Sequence, residues 1–428
     1  MKGEEALAAA LLAATDRRYA VPGYPVTELA ALCGAETVVN EKTGLEYALG
    51  DSLSGRRAAL VVKNVGVNAC IDPLVQATAQ GLRAGVLLVC GDDPEARGSQ
   101  TSQDTRIVGE LAEIPVLEPG PETCFSAVEA ALEASEEFSR VAMLRVTPAL
   151  LGAEVTGTPV PRAERQGRLS DRSYTMHGRM AASRRLFSRM REWADCSPLN
   201  AWRGGMAGVG PAPGETRIVT VFPPPARLAG DSVINEEGLP FAADHCGHRF
   251  LPGTPEEEPE TIGSRGFYRT FCRYCPFKPV ISLMREEGMR PVVDAGCAVL
   301  AMNPPYRIGV ASYGMGSSVA VAARSTAVAL TGDYALLHSG LNALIDVYEK
   351  GLPLLCVVLD NRCAAMTGRQ PAIPLEPYIG WANPRFVEAR DTGRIRELFR
   401  TAERPAVIVV RGECPGGQEH EIVECRDM

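Results

Sequence analysis

Two stretches, Ala327-Val-Ala-Leu-Thr-Gly-Asp-Tyr334 and Leu354-Leu-Cys-Val-Val-Leu-Asp-Asn361, decide the fold. Each is an apolar, β-branched run of strand length that stops on polar turn residues. Between them Leu341, Leu344, Ile345 and Tyr348 recur at i, i+3, i+4 and i+7, the spacing of one helix face, and Gly351 is placed to end that helix. Strand, helix and strand make a βαβ unit, which predicts that Asp333 and Asn361 lie side by side at one sheet edge. Mg²⁺ takes about six oxygens, commonly a carboxylate, neutral oxygens and a ligand's phosphates. Asp333, Asn361 and the backbone carbonyl of Cys363 meet that need. Taken singly, Gly-Asp and Asp-Asn are also ordinary turn residues after strands.

The same rhythm extends in both directions. From Arg17 to about Pro148, runs such as Ala58-Ala-Leu-Val-Val, Val86-Leu-Leu-Val-Cys and Val141-Ala-Met-Leu-Arg-Val alternate with Ala/Leu-rich helical stretches. From about Arg290 it returns in Pro291-Val-Val-Asp, Ile308-Gly-Val-Ala and Ala406-Val-Ile-Val-Val. Runs this uniformly apolar are strands buried on both faces. The fold class is therefore α/β, with two parallel-sheet domains over 1–151 and 267–428. Residues 152–266 read as an irregular connector, dense in Pro and Gly. It carries short helices around Met180 to Trp193 and one strand-like run, Arg217-Ile-Val-Thr-Val-Phe, and is expected to wrap over a partner surface.

Composition narrows the function classes. The chain has 428 residues, 46% apolar and 22% charged, with a net charge of −8, enough for two or three domains with cores of their own. No block of Lys and Arg offers a nucleic-acid surface. No apolar stretch is long enough to span a bilayer, and the N-terminus has no secretory pattern. The expectation is a cytoplasmic protein whose thirteen cysteines are reduced. Their roles are then packing, metal ligation or catalysis.

The fuller string Gly332-Asp-x₄-His338-Ser-Gly340, followed by Asp360-Asn-Arg-x₃-Met366-Thr-Gly-x-Gln370, resembles the thiamine diphosphate and Mg²⁺ motif of indolepyruvate:ferredoxin oxidoreductase alpha subunits, within the 2-oxoacid:ferredoxin oxidoreductases. Gly23-Tyr-Pro-x-Thr27, Asn40-Glu-Lys42, Lys63-x-Val-Gly-x-Asn68-x₃-Asp72-Pro-Leu74 and Asp92-Asp-Pro94-x₄-Ser99-Gln-x₂-Gln103-Asp-x-Arg106 resemble the same family's pyrimidine-binding domain, in the same order. The resemblance covers about 1–150 and 268–415. It implies a pyrimidine-binding first domain and a diphosphate- and Mg²⁺-binding second domain, with a site between two such domains, often from different chains, and hence a homodimer.

Residue by residue, the resemblance implies that Glu41 is the carboxylate that hydrogen-bonds the aminopyrimidine ring, favouring the tautomer that takes a proton from the cofactor. It makes Gly332, Asp333, Tyr334, Asn361, Cys363 and Thr367 cofactor-binding residues, with Mg²⁺ on Asp333, Asn361 and Cys363. Gly314-Met315-Gly316, before an Ala-rich helix, suits close backbone approach to a phosphate. Thr27 and Lys63 are candidate contacts to a substrate carboxylate or the diphosphate, and equally suit a helix cap or solvent. His338 faces substrate or is a satisfied buried imidazole.

Cys272-Arg-Tyr-Cys275, Cys297 in Asp294-Ala-Gly-Cys and Cys414 after the last strand resemble the four ligands of the family's cluster nearest thiamine. Four thiolates suit a 4Fe-4S cluster. Zinc held by Cys272 and Cys275 with His245, Cys246 or His248 is the alternative, as are unligated buried thiols. Cys33, Cys70, Cys90, Cys124 and Cys356 are expected in the core.

Four departures from the family pattern stand out. The family's ferredoxin-like segment with repeated Cys-x₂-Cys-x₂-Cys has no counterpart in the tail from Pro415, and the connector is too short for the family's third α/β domain. Position 26 is Val where Gly is usual, and Tyr334 replaces a small residue; these two changes are expected to reshape the substrate pocket. The expected function is oxidative decarboxylation of a 2-oxoacid, with electrons leaving through one 4Fe-4S cluster to a separate electron-transfer protein or second subunit. The alternative is a non-oxidative 2-oxoacid decarboxylase or carboligase.

Overall fold

The computed structural model describes residues 1–195, 197–199, 219–221, 257–415 and 423–425. The chain divides into two units, Met1–Glu260 and Thr261–Met428.

The first unit is built on strands β1 (Arg17–Ala20), β2 (Glu36–Thr37), β3 (Ala58–Lys63), β4 (Val86–Gly91), β5 (Val116–Glu118), β6 (Ala142–Val146) and β7 (Val219–Val221), in the order β2-β1-β3-β4-β6-β5-β7. Six strands are parallel, and β7 joins β5 antiparallel. The central strands β3, β4 and β6 are buried almost residue for residue, which is why their sequences are continuous apolar runs rather than alternating ones. Helices Gly3–Ala14 and Cys124–Phe138 cover one face, with Leu7, Leu11, Val128 and Leu132 in a shared core.

The described part of the expected connector lies along the first unit. Val155 N–H donates to Met1 O (2.8 Å), Gly167 N–H to Arg83 O (2.9 Å) and Ser170 N–H to Gln80 O (2.8 Å). The approach at Gly81 is so close that a Cβ there would fall 2.3 Å from Arg168 O, on a backbone with φ +82°, so glycine alone fits. Beneath this strap Arg57 is enclosed by two carboxylates, bidentate to Glu136 (2.7 and 2.6 Å) and bonded to Glu129 (2.9 and 3.0 Å), and it also reaches Ala163 O. One long helix, Met176–Asp195, follows. The described residues of 152–260 thus group with the first unit.

The second unit contains β8 (Tyr268–Thr270), β9 (Val292–Val293), β10 (Val328–Gly332), β11 (Leu355–Asp360), β12 (Cys363–Ala364), β13 (Gln370–Pro371), β14 (Arg385–Glu388), β15 (Ala406–Arg411) and β16 (Val423–Cys425). Its parallel sheet has the order β14-β15-β11-β10-β9, with β12-β13 and β8-β16 as antiparallel pairs. Ile308–Ala311, expected as a strand, is extended and bonded to the β9 segment through Val293 N–H to Ala311 O (3.0 Å), yet it joins no ladder.

The helical stretch after β10 also departs from its simple reading. It begins as a short α turn at Asp333–Ala335, widens into a π turn over Leu336–Gly340 and resumes as α over Leu341–Glu349. Its buried face is Ala343, Leu344, Asp346 and Val347, and Ile345 points out at 36% exposure. Of the expected stripe only Leu344 is fully buried; Ala343, Asp346 and Val347 complete the inward face.

Candidate active site

In the second unit the site is laid out by β10 and β11, which pair in parallel with Gly332 opposite Leu359. That register sets Asp333 and Asn361 at neighbouring strand ends, and both line a cleft with about 670 Å³ of empty space. Gly332, Tyr334, Cys363, Thr367, Met315 and Cys297 also line it, so most residues singled out in this half of the sequence share one cavity.

Asp333 is buried. Its Oδ1 accepts from Tyr334 N–H (2.7 Å) and its Oδ2 from Arg362 N–H (2.8 Å). Burial pushes its carboxyl up to about 6; the like charge of buried Asp360 adds to the rise, and the two backbone N–H groups oppose it. Two carboxylates sharing a desolvated strand end have more negative charge than they can hold comfortably, an arrangement suited to a divalent cation. Asp360 was legible as the residue before Asn361, but its electrostatic part was not. Asn361 accepts from Cys363 N–H through Oδ1 (3.3 Å) and donates through Nδ2 to Cys414 Sγ (3.0 Å).

Gly314 and Gly316 both have positive φ, +113° and +78°, and a Cβ on Gly316 would fall 2.4 Å from Gly340 N. This close packing holds the Met315 loop against the π turn, where Ser339 Oγ donates to Met315 O. His338 is exposed, so it is not a buried imidazole; its Nδ1 stands 3.2 Å from Ser339 Oγ and its ring lies 6.1 Å from that of Tyr334. Tyr334 lines the cleft and is 43% exposed. Thr367 bonds Ala364 O (3.2 Å) and Gln370 Oε1 (3.0 Å).

The four paired-spacing cysteines share one neighbourhood with a fifth. Burial pushes the Cys297 thiol up to about 12, reinforced by Cys275, Cys414, Cys272 and Cys363 in turn. Burial likewise raises Cys275 to about 11, with Cys272 and Cys414 as its charged neighbours. Among the described residues, no group of three or more His, Cys, Asp or Glu side chains is drawn together as a site for a single metal ion. The thiolates of a tetrahedral zinc site would stand only about 3.8 Å apart, from Zn–S bonds of about 2.3 Å. His245, Cys246 and His248, the other members of the zinc alternative, lie outside the described residues. The donor chemistry of Cys272, Cys275, Cys297 and Cys414, thiols alone, is the kind an iron–sulfur cluster takes. Cys33, Cys70, Cys90, Cys124 and Cys356 are buried in the core as expected.

In the first unit Glu41 opens helix Glu41–Leu53, capped by Asn40, whose side chain accepts from Thr43 N–H (2.8 Å). Its carboxylate lies directly over Gly66, where a Cβ would fall 2.5 Å from Oε1 and 2.8 Å from Cγ. Lys42 is held between Glu46 and Asp72, 2.9 Å from each. Lys63 runs along Gly23 and donates to Gln100 Oε1 (2.6 Å), and Asn68 and Gln103 exchange two amide hydrogen bonds of 2.9 Å. The loop carrying both glutamines is fastened by Asp93, which accepts from Gly98 and Ser99 N–H, and by Asp92, which bonds Thr105 and Arg145. Thr27 is exposed at the start of helix Thr27–Leu32. Val26 is buried at 1% exposure against Gly91.

Comparison with known proteins agrees with this layout. Residues 284–393 match the family described as thiamine pyrophosphate enzyme, C-terminal TPP binding domain. Indolepyruvate oxidoreductase subunit IorA from Methanothermobacter marburgensis is 26% identical, with 96% of this chain and 86% of the relative covered. The subunit of the same name from Archaeoglobus fulgidus is 25% identical over the same shares. A crystal structure from Mycobacterium smegmatis, described as a thiamin diphosphate-dependent enzyme, shares the fold at 12% identity, with a TM-score of 0.58 over 97% of this chain and 100% of that one. No helix among the described residues is long and apolar enough to cross a membrane. With the thiamine pyrophosphate domain on the second sheet and likeness to IorA along nearly the whole chain, the protein is a thiamine diphosphate-dependent enzyme that resembles indolepyruvate oxidoreductase subunit IorA.

Proposed function

We propose that the chain catalyses oxidative decarboxylation of a 2-oxoacid, with the first unit as pyrimidine-binding domain and the second as diphosphate- and Mg²⁺-binding domain. Thiamine diphosphate, when bound, supplies the carbon nucleophile and electron sink that the side chains lack. Asp333 and Asn361 would hold Mg²⁺ through their side-chain oxygens and Cys363 through its carbonyl, with Gly332, Tyr334, Thr367 and the Gly314-Met315-Gly316 loop around the diphosphate. Glu41 holds a proton at the aminopyrimidine. Lys63 and Thr27 receive the substrate carboxylate, and His338 and Tyr334 face the substrate at the cleft.

One observation carries the oxidative reading over a simple decarboxylase. Asn361, from the proposed Mg²⁺ site, donates to the sulfur of Cys414 at 3.0 Å, so the diphosphate residues and the cysteine group are in contact. A 4Fe-4S cluster on Cys272, Cys275, Cys297 and Cys414 would accept electrons singly, a service that non-oxidative decarboxylases and carboligases do not need. The relatives are named as subunits, which supports a second subunit or separate electron-transfer protein as acceptor, alongside a homodimer of this chain in the cytoplasm.

Iron and acid-labile sulfide analysis of anaerobically purified protein tests the proposal. The expected result is a 4Fe-4S complement with broad visible absorbance, bleached in Cys272→Ala. Colourless, iron-free protein, or protein holding zinc, would overturn it.

A further inference from the structure

We propose that the cleft lined by Ser139, Arg168, Ser170 and Arg179 in the first unit binds a small organic carboxylate with an apolar body. The cleft has about 1220 Å³ of empty space and is framed by the strap, the end of helix Ile71–Gln80 and helix Met176–Asp195. Gly81 and Ser139 precede β4 and β6, so the cleft lies at the amino ends of the parallel strands. Lys63 ends β3 and Asp92 follows β4, at the opposite, carboxyl ends. A ligand held here is therefore separate from the substrate expected at Lys63.

The polar groups of the cleft sort by what they already hold. Glu136 is taken up by Arg57, Glu137 by Arg165 and Arg189, and Asp171 accepts from Ser173 N–H (2.7 Å). Ser183 Oγ donates to Thr78 O (3.2 Å). What is left over is donors. Ser139 Oγ accepts from Arg168 N–H (2.8 Å), and its own proton has no acceptor among the described residues. Ser170 Oγ is buried and makes no hydrogen bond. The guanidinium groups of Arg168 and Arg179 make neither hydrogen bond nor ion pair among the described residues. Burial, then the like charge of Arg172, holds the Arg179 guanidinium below its usual range, with Asp171 opposing from beyond ion-pair distance. A buried donor left without an acceptor is costly, and a planar guanidinium matches the two oxygens of a carboxylate. Asp171 offsets part of the surplus charge, which favours a single carboxylate over a phosphate. Ala79, Leu169, Ala182 and Leu186 supply the apolar wall.

Fluorophenylacetate is titrated into the full-length chain and followed by fluorine NMR, with neutral fluorophenylacetamide and inorganic phosphate as comparisons. The carboxylate is expected to bind saturably and the amide not to bind. Arg179→Gln and Arg168→Ala should each weaken binding by about 10–100-fold, the worth of hydrogen bonds to a charged group, and Ser170→Ala by about 2–10-fold, with the circular dichroism unchanged. Arg168 is exposed, so its variant keeps the test if Arg179→Gln does not fold. Lys63→Ala should bind the carboxylate as the natural chain does, which separates this cleft from the proposed substrate site. Absence of saturable binding, unaltered binding in Arg168→Ala and Ser170→Ala, loss of binding in Lys63→Ala, or tighter binding of phosphate than of the carboxylate would overturn the proposal.

Discussion

Gly66 explains where Glu41 can be. The carboxylate rests on a backbone that has no side chain to offer resistance, and a single methyl group at position 66 would occupy the space of Oε1 and Cγ. Gly66→Ala is therefore expected to lower turnover by about 100-fold, the scale of an ångström-size misplacement of a reacting group, while leaving the thermal midpoint nearly unchanged, since the residue does not have a positive φ. Steady-state kinetics at saturating thiamine diphosphate beside a melting curve checks this; full activity would mean that Glu41 is not positioned by this contact. Gly66 was visible in Lys63-x-Val-Gly-x-Asn68, but the reason for it was not, because the contact joins segments far apart in sequence. Val26, whose neighbours were equally invisible in the sequence, is buried against Gly91.

At the scale of elements, strands buried on both faces announce themselves, and β3, β4, β6, β10, β11 and β15 were all legible as apolar runs. β14 was missed because its Arg385-Phe-Val-Glu388 buries only Val387, leaving no apolar run to read. The helix after Asp333 was legible as a helix, but its inward face was not, because that face includes an alanine, Ala343, and an aspartate paired with Lys350, Asp346, which carry no apolar signal. The strap over the first unit was unreadable for another reason: it is held by backbone bonds and by Arg57. Glu136 satisfies two of that guanidinium's nitrogens and also accepts from Gly85 N–H (3.0 Å). Removing one partner of a buried ion pair leaves an uncompensated charge, so Glu136→Ala is expected to cost about 3–5 kcal/mol. Urea unfolding of the first transition measures it, and a loss below about 1 kcal/mol would show that Glu129 alone suffices.

On the scale of the whole molecule, the alignment with the Methanothermobacter marburgensis subunit runs over 529 positions against 428 residues here. That relative therefore has interior segments that this chain lacks, in keeping with the short connector read from the sequence. Five ordered motifs made a candidate site legible in the sequence, and the second unit brings Asp333, Asn361 and Cys363 from them to one cleft. What the motifs could not convey is the contact between Asn361 and Cys414, on which the oxidative reading turns. The most direct measurement is anaerobic turnover of 2-oxoacids, indolepyruvate among them, with a one-electron dye, following CO₂ and dye reduction together. The account predicts one electron pair delivered to the dye for every CO₂, only when thiamine diphosphate and Mg²⁺ are present. CO₂ released at the same rate with no acceptor, leaving the dye oxidised when it is added, would contradict it.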